Sequence, residues 1–157
     1  GELLKAFCVC EGVRGGMSFH ARDAMVSRMV RIFMRHGKKT TSQKIIDGAM
    51  GILKRDHNIQ DPLKMLYEAV QNAKPLVETR PVINAGRKVL IPRPVSPERQ
   101  ESLALRFIRD AMRERNENGS PLRLANEILE LHKKQGGARR RRDNQHRTAE
   151  ANRAFVR

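Results

Sequence analysis

The apolar positions of this chain recur mainly at helical spacing. Met25, Met29, Ile32 and Phe33 fall on one face, Val26 and Val30 widen it, and the pattern predicts a first helix over residues 19–36, with Gly37 as its C-terminal cap after His36. Thr40 followed by Gln43 has the spacing of a capping box, and Ile45, Ile46, Ala49, Met50 and Leu53 then line a second helix. Gly48 and Gly51 either weaken that helix or permit close packing against it. Asp61-Pro62, Ser96-Pro97 and Ser120-Pro121 each pair a side-chain cap acceptor with a proline, whose missing N–H costs nothing at a first helical position. Apolar faces follow each start: Leu63, Leu66, Tyr67, Val70 and Ala73 up to Pro75; Leu103, Ala104, Phe107, Ile108, Ala111 and Met112; and Leu122, Ala125, Ile128 and Leu129 up to Gly136-Gly137.

Residues 76–95 break this pattern. Val, Ile and Thr are enriched, Asn84-Ala85-Gly86 is placed for a turn, and Pro81, Pro92 and Pro94 restrict the strands to an edge, so a β-hairpin is predicted. Two strands of about eight residues would reach roughly 26 Å, and a lone two-stranded ribbon is marginal in water, so ordering by a partner is expected. After the glycine pair, residues 138–157 hold few apolar markers, Ala149, Ala151, Ala154 and Phe155 among them. Such a segment is weakly anchored by burial, and its removal is expected to leave the bundle folded. The fold class expected is mainly α: a bundle of about six helices with one protruding β-hairpin between the third and fourth. The organisation expected is an N-terminal extension (1–18), a bundle domain (19–137) carrying the hairpin arm (76–95), and a basic C-terminal helix or tail (138–157). No internal repeat suggests a solenoid.

Charge changes the picture. The 157 residues carry 32 Lys and Arg against 17 Asp and Glu, a formal +15, which favours a polyanionic partner. The excess is clustered: residues 31–55 hold 7 basic and 1 acidic group, 80–100 hold 5 and 1, and 133–157 hold 9 and 2, while the remaining segments are nearly neutral. Aromatics are 4%, with no Trp and one Tyr, which argues against reading bases by stacking. Phosphate contact is the expected mode. Arg binds phosphate bidentately and Lys acts as a point charge, so the candidate contacts are Arg35, Lys38, Lys39 and Lys44 at the first turn. On the ribbon they are Arg80, Arg87, Lys88 and Arg93, and in the tail Arg139, Arg140, Arg141, Arg142, Arg147 and Arg153. Tyr67 and Phe107 are expected in the core rather than against bases.

Other chemistry is poorly supported. Cys8-Val9-Cys10 is a lone C-x-C with no second pair, so no metal site within the chain is expected, although a neighbouring chain could complete one. The five His are scattered, no nucleophile arrangement or phosphate-cradling glycine loop occurs, and neither enzyme activity nor a cofactor is expected. There is no apolar run of about 18 residues and no secretory pattern at the start, which favours a soluble intracellular chain with no membrane partner. A helical DNA-binding or DNA-compacting protein is the alternative function, although the cations gather on a ribbon and a tail rather than on one recognition helix.

Several stretches are similar to one family. They are His36-Gly37-Lys38-Lys39, Asp61-Pro62-Leu63, Pro97-Glu98-Arg99-Gln100 leading to Leu103-Ala104-Leu105-Arg106, and Leu124-Ala125-Asn126-Glu127-Ile128-Leu129. With His146-Arg147-Thr148 and Ala149-Glu150-Ala151-Asn152-Arg153-Ala154-Phe155, they resemble small-subunit ribosomal protein seven over about residues 20–155. The resemblance implies a helical bundle with a β-ribbon, binding to the 3′ major domain of small-subunit ribosomal RNA, nucleation of head assembly and a place near exit-site tRNA and mRNA. It implies neighbouring head proteins as partners, no homo-oligomer and no catalysis. Glu150, Asn152 and Arg153 would fix the tail either to RNA or to the bundle. The chain departs from the bacterial pattern at the ribbon tip, where Val82-Ile83-Asn84-Ala85-Gly86 precedes Arg87-Lys88 instead of a basic pair before a Gly pair. A strongly basic start and an aromatic-ended tail are also missing. These departures point to a mitochondrial ribosome, with a bacterial cytoplasm as the alternative.

Overall fold

The computed structural model describes residues 23–84 and 86–155. Helices α1 (Ala24–Phe33), α2 (Lys39–Asp56) and α3 (Pro62–Ala73) lead into strands β1 (Val77–Asn84) and β2 (Arg87–Pro94). Helices α4 (Pro97–Glu114), α5 (Ser120–His132) and α6 (Gly137–Ala151) follow, and a single 3-10 turn spans Arg153–Phe155. The expected fold class is therefore the observed one, with the hairpin between the third and fourth helices.

The core is built from the helical stripes. Met29, Ile46, Leu53, Leu66, Leu105, Ile108, Leu124, Ile128 and Leu131 are all fully buried, and α5 lies centrally, against α2, α3 and α4. Tyr67 departs from the expectation of a core residue: it is 42% exposed, and its hydroxyl donates to Asp23 Oδ2 at 2.6 Å. The ring sits at the rim because that acceptor is held beside it, and the same bond pushes the Tyr67 pKa up to about 12. Phe107 packs half-buried against the core.

Helix ends show where local patterns were overridden. The observed α1 begins after Asp23, whose Oδ1 accepts from Met25 N at 2.9 Å; residues 19–22 of the expected helix lie outside the described residues. It ends at Phe33 rather than His36, because Met34 turns extended and His36 and Gly37 adopt left-handed φ of 50° and 73°. Gly37 thus makes the interhelical turn rather than capping α1. The expected Thr40–Gln43 capping box does not form: that reversal starts α2 at Lys39, which puts Thr40 inside its first turn. Pro62 and Pro97 open their helices, but Asp61 and Ser96 make no side-chain cap bond, and Ser120 is itself the first residue of α5 after Gly119 (φ 96°). Proline geometry, not side-chain capping, sets these starts.

Ser42, 3% exposed, ties the first two helices together by donating to Val30 O at 2.9 Å, a carbonyl in the last turn of α1. Ser42→Ala removes that bond while Val30 O keeps the Met34 N–H at 3.0 Å, and it is expected to cost about 0.5–1.5 kcal/mol, read by denaturant unfolding. An unchanged midpoint would show that the bond adds nothing.

The ribbon pairs Val77 with Pro94 through to Asn84 with Arg87, and Gly86 takes the left-handed conformation (φ 77°) at its tip. Its base is held from two sides. Arg99 of α4 donates to both carboxylate oxygens of Glu78, at 3.4 and 2.9 Å, and this holds the Glu78 carboxyl below its usual range. From α6, Gln145 donates to Val77 O at 3.1 Å, and His146 Nε2 accepts from Leu76 N at 3.0 Å. The tail is therefore anchored more firmly than its few apolar residues suggest. Ala138 and Ala149 are buried, α6 packs on α4 and β1, and Arg142 donates to Asn72 O at 2.9 Å.

His146 makes this anchorage pH-dependent. Its pKa is lowered by burial and then by Arg142, and only an unprotonated Nε2 can accept the Leu76 N–H. As pH falls below 6.5 the unfolded chain takes the proton first, so stability is lost from there down to the depressed folded value and is unaffected above. Subtracting the pH profile of His146→Gln from that of the wild type should isolate this fall. Parallel profiles would exclude it.

Candidate nucleic-acid interface

The turn cluster is displayed outward. Arg35, Lys38, Lys39 and Lys44 are all exposed around the α1–α2 reversal. Arg35 and Lys38 also line a cleft of about 370 Å³, together with Arg113 from the end of α4 and Arg123 from α5.

On the ribbon, the pairing sorts the cations by face. Arg80 lies opposite Ile91 and Arg93 opposite Glu78, so period-two alternation puts Arg80 and Arg93 on one face, both exposed. Lys88 pairs with Ile83 on the other face and is also exposed. Arg87 opens β2 opposite Asn84.

The tail cations divide into two kinds. Arg140, Arg147 and Arg153 are exposed, and Arg139 reaches Asp143 at 3.4 Å. Arg139, Arg140 and Arg147 line one cleft with Gly136 and Gly137. Arg141 is paired with Glu114, and Arg142 bonds Asp143 at 2.7 Å as well as the Asn72 carbonyl, leaving its side chain 17% exposed. These two are occupied by the protein itself. Asp143 stays below its ordinary range because Arg142 and Arg139 outweigh the upward push of burial.

The direction of α6 is set by a partly buried hub around Glu127. Arg115 donates to Glu127 at 2.9 Å, to Glu117 at 3.0 Å and to Glu130 at 2.6 Å, and together these bonds hold its pKa far above the ordinary range. The other oxygen of Glu127 accepts from Ala138 N at 2.9 Å, an otherwise orphaned donor at the α6 N-terminus. Gly136 (φ 96°) turns the chain into this helix, and a Cβ there would meet Glu127 Oε1 at 3.1 Å.

A further cationic surface escaped the sequence reading. Arg28 and Arg31 of α1 line a groove with Arg99 and Arg106 of α4, and Ser96 and Arg99 also line the adjoining groove that holds Arg80 and Arg93. The ribbon base and the α1–α4 face thus form one continuous arginine surface. Arg28 bonds Glu101 at 3.1 Å, whereas Arg31 and Arg106 are exposed. Helical spacing between Arg28 and Arg31, and between Arg99 and Arg106, was the available signal; charge sums concealed it, because Arg28 and Arg106 fall in near-neutral segments.

Among the described residues no cluster of three or more His, Cys, Asp or Glu could hold a metal, and no helix is long and apolar enough to cross a membrane. Cys8 and Cys10 lie outside the described residues.

Comparison with known proteins decides the family. Residues 15–153 match the family model described as ribosomal protein S7p/S5e. The chain belongs to the ribosomal protein S7 family. This makes it a structural, non-enzymatic ribosomal protein. It is 46% identical over 136 residues to small ribosomal subunit protein uS7 of Dictyoglomus turgidum, covering 85% of both chains. Against the uS7 proteins of Thermodesulfovibrio yellowstonii and Delftia acidovorans the identities are 41% over 135 residues (86% of each chain) and 39% over 130 (83% of each). In this S7-family chain the matched span includes the arginine surface, the ribbon and the α6 anchorage.

Proposed function

We propose that this chain is a structural component of the small ribosomal subunit that binds the 3′ major domain of its ribosomal RNA, nucleates head assembly and lies near exit-site tRNA and mRNA. The observation that carries the reading is the arginine surface running from Arg31 and Arg106 to Arg80 and Arg93, to which α6 adds a separate set of exposed cations. Folded A-form RNA offers shape, phosphate and 2′-hydroxyls, so specificity follows from how these surfaces fit one RNA junction. Neighbouring head proteins complete the surroundings. The departures at the ribbon tip favour a mitochondrial ribosome, and co-sedimentation with mitochondrial rather than bacterial small subunits tests that assignment.

The test of RNA binding compares a 3′-domain RNA with an unrelated structured RNA of equal length at several salt concentrations. Preference for the 3′ domain supports the reading; equal affinity throughout overturns it. Duplex DNA as competitor separates ribosomal RNA binding from DNA compaction, since a compacting protein would yield the RNA to DNA.

A further inference from the structure

The cleft beside the α1–α2 turn differs from three others among the described residues. Its lining brings together Arg35 and Lys38 from the turn, Arg113 from α4 and Arg123 from α5, with Thr41 and Ser120 as hydroxyl donors and no carboxylate. The clefts at the start of α6, on the α1–α4 face and at the ribbon base each contain at least one, Glu130, Glu98 and Glu78 respectively. Four cations from three separated stretches of chain therefore converge in a lining that holds no carboxylate of its own.

The individual partners make the point sharper. Arg113 is about two-thirds buried, and its closest carboxylate oxygen, on Asp110, is 4.0 Å away. Burial and the neighbouring Arg35 and Arg109 guanidiniums press its pKa below the ordinary arginine value and outweigh the opposing pull of Asp110. Arg123 spends its Nε on the Glu117 carbonyl, which orients the rest of the fork without neutralising it. The first turns of α2 and α5 both border the cleft, and neither has a side-chain cap, so main-chain N–H groups at these ends add to the positive field. Like charges held together at partial burial are stabilised most by an anion placed between them.

We infer that this cleft seats a backbone phosphodiester of the bound RNA, with Arg113 and Arg123 as contact residues beside Arg35 and Lys38. The inference rests on the RNA-binding reading and adds two residues from the scaffold to the footprint. Its consequence is mechanical: one phosphate would bridge the α1–α2 turn to the ends of α4 and α5, coupling RNA binding to closure of the bundle at that edge.

The test measures binding of 3′-domain RNA over a salt series for the wild type, for Arg113→Gln/Arg123→Gln and for Lys38→Gln/Arg113→Gln. The last spares the Arg123–Glu117 bond should the first fail to fold. Loss of one phosphate contact is expected to lower the log–log salt slope by about 0.7–0.9 with weaker binding. Wild-type slopes in a folded cleft variant, while substitutions on the ribbon reduce theirs, would overturn the cleft and leave the RNA reading intact. Failure of the wild type to prefer the 3′-domain RNA would overturn both. A nucleoside triphosphate arm separates the sources of phosphate. Displacement of RNA no greater than with NaCl at matched ionic strength supports a backbone phosphate, and specific displacement lost in the cleft variants would identify a free-nucleotide site instead.

Discussion

Glu127→Ala is expected to destabilise the free protein by about 2–4 kcal/mol, through one lost charge-assisted hydrogen bond and one buried N–H left without its acceptor. Glu127 is 1% exposed and accepts from both Arg115 and Ala138 N. Truncation removes the carboxylate from the hub and leaves the Ala138 N–H in the first turn of α6 without its acceptor, while Arg115 keeps Glu117 and Glu130 as partners. At about 2–4 °C of unfolding midpoint per kcal/mol for a chain of this size, thermal scans should show a drop on the order of 10 °C. Glu127→Gln keeps an oxygen for the Ala138 N–H and should cost less. Because Glu127 directs α6, the alanine variant should also lose protection from hydrogen exchange at Leu76, whose amide is bonded to His146. A loss of stability with the ribbon base fully protected would mean that the hub does not position the tail.

The largest functional effect is expected from the arginine surface. Arg31, Arg80, Arg93 and Arg106 are all exposed, so converting the four to Gln should change stability by little, each within about 0.5 kcal/mol. If each meets one phosphate, the log–log salt slope for RNA binding falls by about 3. Affinity at low salt should then drop by orders of magnitude while the circular dichroism spectrum is unchanged. Arg28 and Arg99 are poor choices for this experiment, since they also pair with Glu101 and Glu78 and their loss would mix folding with binding. A quadruple variant that retains wild-type affinity and slope would remove this surface from the RNA interface.

The core was legible because burial follows helical period. Met25, Met29, Ile46, Leu53, Leu66 and Ile128 are all buried residues that the spacing had placed on inward faces. Pro62 and Pro97 opened their helices as expected, since a missing N–H and a fixed φ act locally. Thr40 misled because a capping box also needs the chain to enter the helix at that residue. The left-handed His36-Gly37 pair delivers it at Lys39 instead.

The tail shows the opposite limit. Four consecutive arginines, Arg139 to Arg142, read as equivalent, yet one helical turn points them in different directions. Arg140 faces solvent, Arg141 meets Glu114, and Arg142 meets the Asn72 carbonyl 70 residues away. The scaffold arginines were obscured in the converse way. Arg28 and Arg106 sit in near-neutral segments, and their significance lies in the packing of α1 against α4.

The sequence by itself determined the helical class, the ribbon and the clusters of positive charge, because periodicity, proline and glycine act over a few residues and charge is a sum. Only the tertiary structure decided which cations are neutralised by the protein and which stay available to a polyanion. That division depends on carboxylates and carbonyls brought within about 3 Å by packing, across separations that no local pattern encodes.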